Sequence, residues 1–116
     1  MSLSVEAANR LLDVLRSEHL SVQVHVGPPG PQGTSMVAKA KARQRIRFRP
    51  PSDGQMRSTV PVTFAAVPAN ETWTHFSLWD MDRAHVGNGT LAPVTVRRGD
   101  DIDLDAVTVR VVATTP

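Results

Sequence analysis

The chain has 116 residues and no cysteine, a length that fits one domain and cannot hold two independent cores. Its hydrophobic share of 41% and charged share of 21% are those of a globular protein, which excludes a disordered tail. Thiolate catalysis, disulfides and cysteine zinc sites are excluded with the cysteines.

Apolar runs are only a few residues long, against about 20 for a membrane-crossing helix. Glu6 and Asp13 stand around the first twelve residues in place of a signal-peptide core, so neither membrane insertion nor secretion is expected. Trp73, Trp79 and three phenylalanines supply the large aromatic area. So modest a core predicts contacts between subunits, and hence a homo-oligomer.

The first predicted element is a helix from about Val5 to Arg16 or Ser17. Val5, Ala8, Leu11, Leu12 and Leu15 recur at three and four residues, and Glu6, Arg10, Asp13 and Arg16 fall on the other side. Ser4 suits the N-cap, Glu6 the first turn and Arg16 the last. The period then changes to two: Val22, Val24 and Val26 alternate with Ser21, Gln23 and His25, which predicts a strand ending at Gly27. Gly27-Pro28-Pro29-Gly30-Pro31-Gln32-Gly33 has the glycine spacing of collagen, but a triple helix needs a sustained repeat, so a loop between strands is expected.

Lys39, Lys41, Arg43, Arg45, Arg47 and Arg49 occupy every odd position of one segment. On an extended chain all six would project from one face, with Ala40, Ala42, Gln44, Ile46 and Phe48 on the other. The formal charge of +2 thus divides into +6 on this stripe and −4 elsewhere. Such a stripe could track a polyanion, with binding that weakens steeply in salt. It also suits a solvated strand face whose cations discourage edge-to-edge aggregation, or one that meets an acidic protein surface. No aromatic residue shares the face of the cations, since Phe48 falls on the other one, which speaks against a platform for single-stranded nucleic acid.

Pro50-Pro51-Ser52-Asp53-Gly54 reads as a turn. Val60, Val62 and Phe64 alternate beyond it. Trp73 to Trp79 is a strand with His75, Ser77 and Trp79 on one side, Thr74, Phe76 and Leu78 on the other, and both faces partly buried. Asp80 to Gly89 is expected to be a turn region ending in Gly87-Asn88-Gly89. Val94 and Val96, then Ile102 and Leu104, then Val107, Val109 and Val111 mark further strands, and the change of parity at Asp105 and Ala106 implies a bulge or tight turn. Short strands with turn signals about every ten residues predict a mainly β fold. The expectation is a single domain: an antiparallel β-sandwich or small barrel over residues 21–112, with one N-terminal α-helix over about 5–17.

Several of these segments, in order, carry a resemblance. They are Ala42-Arg43-Gln44, Val62-Thr63-Phe64-Ala65-Ala66, Trp73-Thr74-His75-Phe76-Ser77-Leu78-Trp79-Asp80, Gly89-Thr90-Leu91-Ala92-Pro93-Val94-Thr95-Val96 and Gly99-Asp100. Together they resemble the landmarks of small virion proteins of tailed bacteriophages, usually labelled tail fibre or minor tail proteins. The likeness runs from about Ser4 to Val112, and the loop at Gly27 to Thr34 falls where that family has a Gly/Pro-rich turn. The long run of cations departs from the pattern, as do Asp101, Asp103 and Asp105 where neutral polar residues are common.

The resemblance implies a non-enzymatic structural subunit of the tail or tail fibre, assembled in the bacterial cytoplasm and partnered by other virion proteins. The alternative is a decoration protein on the head surface. A module that binds nucleic acid or another polyanion is the third reading.

Residue content opposes catalysis, because no Ser-His-Asp or glycine-rich phosphate signature occurs at usable spacing. His25, His75, His85, Asp80 and Asp82 lack metal-ligand spacing, and Asp80-Met81-Asp82 and Asp100-Asp101 lack the glycine and later glutamate of a calcium loop. No metal or cofactor is expected. Arg98-Gly99-Asp100 spells an adhesion tripeptide but has the composition of a hairpin turn. The expected partner surface is the basic stripe together with Asp101, Asp103 and Asp105, an acidic strip that could face it across strands or across a subunit boundary and set register.

Overall fold

A computed structural model describes residues 4–59, 61–104 and 107–110. The fold is mainly β, with antiparallel sheets and one N-terminal helix, as expected. The helix, α1, spans Val5–Ser17. Ser4 is its N-cap, and the Ser4 hydroxyl accepts from the Ala7 N–H at 3.1 Å.

The strands are β1 (Ser21–His25), β2 (Gln44–Arg45), β3 (Gln55–Arg57), β4 (Val62–Phe64), β5 (Glu71–Trp79), β6 (His85–Val96), β7 (Ile102–Leu104) and β8 (Thr108–Arg110). One sheet has the order β2-β1-β5-β6, while β3 pairs with β8 and β4 with β7. Both small sheets contribute to one core: Met56, Val62, Phe64, Leu104 and Val107 cluster with Val22, Val24, Trp73, Phe76 and Leu78 of the large sheet. Phe64 meets Trp73 edge-on across this core, with ring centroids 5.0 Å apart.

β1 lies inside the large sheet, and Val22 to His25 are all buried, so its polar positions are covered as well as its valines. The change of parity read at Asp105 and Ala106 lies outside the described residues, as do Val60 and Val111.

Four expectations need correction. Only Gln44–Arg45 of the cationic segment forms a ladder strand; the rest is irregular chain with a tight turn where Lys41 N bonds Lys39 O, tied down at intervals by Ala38 N to Val24 O, Ile46 N to Leu20 O and Arg49 N to Arg57 O. The in-out alternation survives because those tethers hold the segment against the core: all six cations are exposed, and Ala38, Ala40, Ile46 and Phe48 are buried. Ala42 is the exception, being exposed.

Gly87-Asn88-Gly89 is not a turn but part of β6. The turn is Asp80 to Ala84, closed by Asp80 N to Ala84 O and by the Asp80 carboxylate, whose Oδ1 accepts from the Asp82 and Ala84 N–H groups. Gly89 is needed in the strand because the Phe76 ring lies where its Cβ would stand. The β5–β6 pairing has irregularities after Trp73 and after Leu78. The first takes up Leu91, Ala92 and Pro93, so the proline sits where no ladder bond is needed, on an outer strand.

Arg98-Gly99-Asp100 is a tight turn, with Asp100 N bonded to Arg97 O and Gly99 at φ +91°. It joins β6 to β7, strands of different sheets, so it is no hairpin. In the helix, Ala8 and Leu12 are buried, but Val5 is 55% exposed and Leu11 49%. The core reaches only one side of its apolar face, and Val14, 59% exposed, belongs to the uncovered side.

Asp53 and Gly54, at φ +53° and +74°, form the two-residue turn that hairpins favour. Asn9 of α1 accepts from the Gly54 N–H and pins this turn to the helix. The collagen-like segment is a packed loop, with Gly30 and Gly33 at positive φ and the His85 ring against Gly33. Asn88 donates to Gly30 O at 2.7 Å.

Candidate functional site

The six cations of the stripe line one exposed edge of the molecule, because β2 is an outer strand of the large sheet. Pairing of Ser21 with Arg45 brings the exit of α1 alongside and adds residues distant in sequence. A hollow of about 300 Å³ is shared by Arg16, His19, Arg45 and Arg47. A second, of about 380 Å³, is walled by His19, Arg43, Arg45 and Arg83. At the far end of the stripe Arg49 shares a smaller hollow with Arg57.

The stripe is therefore part of a wider cationic band, to which Arg57 and Arg83 add charge, with His19 and the Asp13-paired Arg16 alongside. Arg16, His19, Arg57 and Arg83 escaped the sequence reading because strand pairing and the Asp80–Ala84 turn, rather than local period, place them there.

Trp79 anchors the second hollow. The Arg43 guanidinium lies 3.6 Å above the Trp79 ring centroid, a cation–π contact. Trp79 is 6% exposed and Trp73 fully buried, so neither indole offers a free stacking face. Arg45 Nη2 donates to His19 Nδ1 at 2.6 Å. One end of the stripe rests on Glu71, whose carboxylate accepts from the Lys39 and Ala40 N–H groups and from Trp73 Nε1.

The acidic strip is placed differently. Asp101 accepts from Ala66 N at 2.8 Å and Asp103 from the Thr63 hydroxyl at 2.6 Å. Both are exposed, and neither forms an ion pair with the stripe. Asp105 lies outside the described residues. Among those described, the ion pair present is Arg16–Asp13 within α1.

Behind Trp79 runs a buried polar chain. Trp79 Nε1 donates to Ser77 Oγ at 2.8 Å, the Ser77 hydroxyl donates to His25 Nε2 at 2.7 Å, and His25 Nδ1 donates to Ser35 O at 2.8 Å. The backbone carbonyl can only accept, which fixes this tautomer. Burial holds the His25 pKa below its usual 6.5, outweighing the carbonyl bond to Ser35 that favours the cation. A Ser–His pair of this length would suit a nucleophile and its base, but both side chains are fully buried, so no substrate can reach the serine.

Among the described residues no three His, Asp or Glu side chains are grouped to hold a metal ion, and no helix is long and apolar enough to cross a membrane. A hollow of about 520 Å³ between α1, the β5–β6 hairpin and β8 is walled chiefly by Leu12, Leu15, Phe76, Leu78, Val86 and Val109 and has no titratable group in its lining. Comparison with protein-family models and with curated proteins finds no match.

Proposed function

We propose that the chain is a non-enzymatic assembly subunit of a tailed-bacteriophage particle, in the tail or tail fibre. The likeness of its ordered segments to small phage tail proteins supports this reading. The observation that carries it is a pair of uncovered surfaces of different chemistry on one small domain. One is the apolar face of α1, with Val5, Leu11 and Val14 about half exposed or more. The other is the cationic band, whose stripe side chains form no ion pair among the described residues. Exposed apolar residues in a row and unpaired charge of one sign are what contacts between subunits use.

The charges set partner and register more than affinity, since exposed pairs contribute only about 0–1 kcal/mol each. The cationic stripe and the strip of Asp101 and Asp103 form a complementary pair. Joined head to tail between copies, such surfaces generate rings or filaments.

The test is light scattering after size exclusion across a salt series, on the natural chain and on one reversed at Arg45→Glu and Arg47→Glu. A discrete oligomer in low salt that the reversal dissociates is expected. An unchanged mass in low salt would sink the role given to the stripe, and a monomer under every condition would sink self-assembly. Labelling of intact particles with an antibody to the chain is expected to mark tails; marking of heads would make it a decoration protein.

A further inference from the structure

We propose that the hollow beside Trp79 is a binding site for a tetrahedral dianion of the phosphate-monoester class. This goes beyond the assembly reading and does not rest on it.

Charge comes first. Arg43, Arg45 and Arg83 bring three guanidinium groups to one hollow, against one carboxylate, Asp80. That carboxylate is engaged, since its Oδ1 accepts from the backbone N–H groups of Asp82 and Ala84. The lining therefore carries an excess of two positive charges, which matches a dianion better than a carboxylate. All three cations are arginines, whose planar forks fit the oxygen edges of an oxyanion two at a time.

Preorganisation comes second. The Arg43 guanidinium carbon lies 3.6 Å from the Trp79 ring centroid, a cation–π contact that holds the group at the wall of the hollow. Arg45 is steadied by its bond to His19 Nδ1. Because Nδ1 accepts there, the Nε2 of a neutral His19 carries the proton and is a further donor. Groups held before the ligand arrives lose little freedom on binding. The Trp79 face is already covered by Arg43, so the hollow offers a base or sugar ring no stacking surface and recognises the charged group itself.

Backbone conformation comes third. His19 and Arg83 adopt left-handed φ values of +54° and +62°. His19 follows the helix C-cap, where glycine is the usual residue, and Arg83 lies in the Asp80–Ala84 turn. Two polar side chains thus stand where glycine would relax the chain, and both line the same hollow. Met36, Asp53 and Ala66 also have positive φ, so this conformation does not mark the hollow by itself; it makes glycine a well-tolerated replacement at His19 and Arg83.

This gives clean variants. Arg83→Gly and His19→Gly remove a ligand group and relieve a backbone, so folding should be unharmed or improved while binding falls. The experiment is calorimetry and Trp fluorescence of the whole chain, titrated with inorganic phosphate, phenyl phosphate, acetate, dimethyl phosphate and a thymidine oligonucleotide, all at one ionic strength so that general screening is constant. Saturable binding of both phosphates is expected, with roughly tenfold weaker affinity in Arg83→Gly. Arg97→Gly, which removes an exposed cation outside the hollow, should bind as the natural chain does.

Equal binding of acetate would overturn the dianion, and tighter binding of dimethyl phosphate or the oligonucleotide would overturn the monoester in favour of a nucleic-acid backbone. Unchanged phosphate affinity in both glycine variants, or no saturable binding at all, would overturn the site.

Discussion

His25 shows how a single residue ties the strand pattern to the core. Its ring is fully buried between β1 and β5, and both nitrogens are spent, one on Ser35 O and one on the Ser77 hydroxyl. Protonation would put a charge into this site and turn the Nε2 acceptor into a donor facing Ser77, which already receives the Trp79 N–H. The sign of the pH effect follows from the lowered pKa. The unfolded chain takes up a proton near pH 6.5, while the folded chain resists until lower pH, so more protons are bound in the unfolded state within that window. Stability from neutral His25 is therefore complete above about pH 6.5 and declines as pH falls toward its folded-state pKa. Thermal melting from pH 8 to pH 5 should show a falling midpoint below about pH 6.5, with the His25 ring protons titrating late by NMR. A flat midpoint with ordinary titration of His25 would contradict its burial as a neutral group.

The β5–β6 hairpin shows an element whose sequence conceals it. Gly89 faces Phe76 across the pair, and a methyl group there would run into the ring, whereas Gly87 has open space around its Cβ position. Gly89→Ala should destabilise by about 1–3 kcal/mol, the usual range for overpacking, and Gly87→Ala should change little. Denaturant midpoints of the two variants make the comparison within one strand; equal effects would show that the Phe76 contact is not the reason for glycine. The same contact explains the misplaced turn. Gly-Asn-Gly has turn composition, and only the long-range Phe76 neighbour reveals that it is strand. α1, β1, the alternating run of cations and the Asp53-Gly54 turn were legible because each depends on local period, capping or turn chemistry. Where β2 pairs was not, and with it went the hollow that joins His19 and Arg83 to Arg43 and Arg45. The stripe itself could be read from its alternation, but the neighbours that make it a band could not.

At the scale of the whole molecule, two surfaces with different responses to salt would make the proposed assembly separable into its causes. Both outer strands of the large sheet are guarded: β2 carries Arg45 among the exposed cations, and β6 carries Pro93. Extension of the sheet from copy to copy is thus discouraged at each edge, which leaves side-chain surfaces as the route open to the proposed association. Contacts through the cationic band weaken as salt rises, since exposed charges are screened beyond about 8 Å at physiological ionic strength. Contacts through α1 do not weaken, because burial of Val5, Leu11 and Val14 is hydrophobic, at roughly 1.5–3 kcal/mol for a large aliphatic side chain fully buried. Leu11→Glu is the informative change: the side chain is 49% exposed in the single chain, so the fold should survive and only a helix-mediated interface should fail. The expected result is a natural chain that retains part of its association in high salt and a Leu11→Glu chain that becomes monomeric there, with an unchanged circular dichroism spectrum in both. If Leu11→Glu matched the natural chain in mass at every salt concentration, α1 would not be an interface, and the band alone would have to hold the copies together.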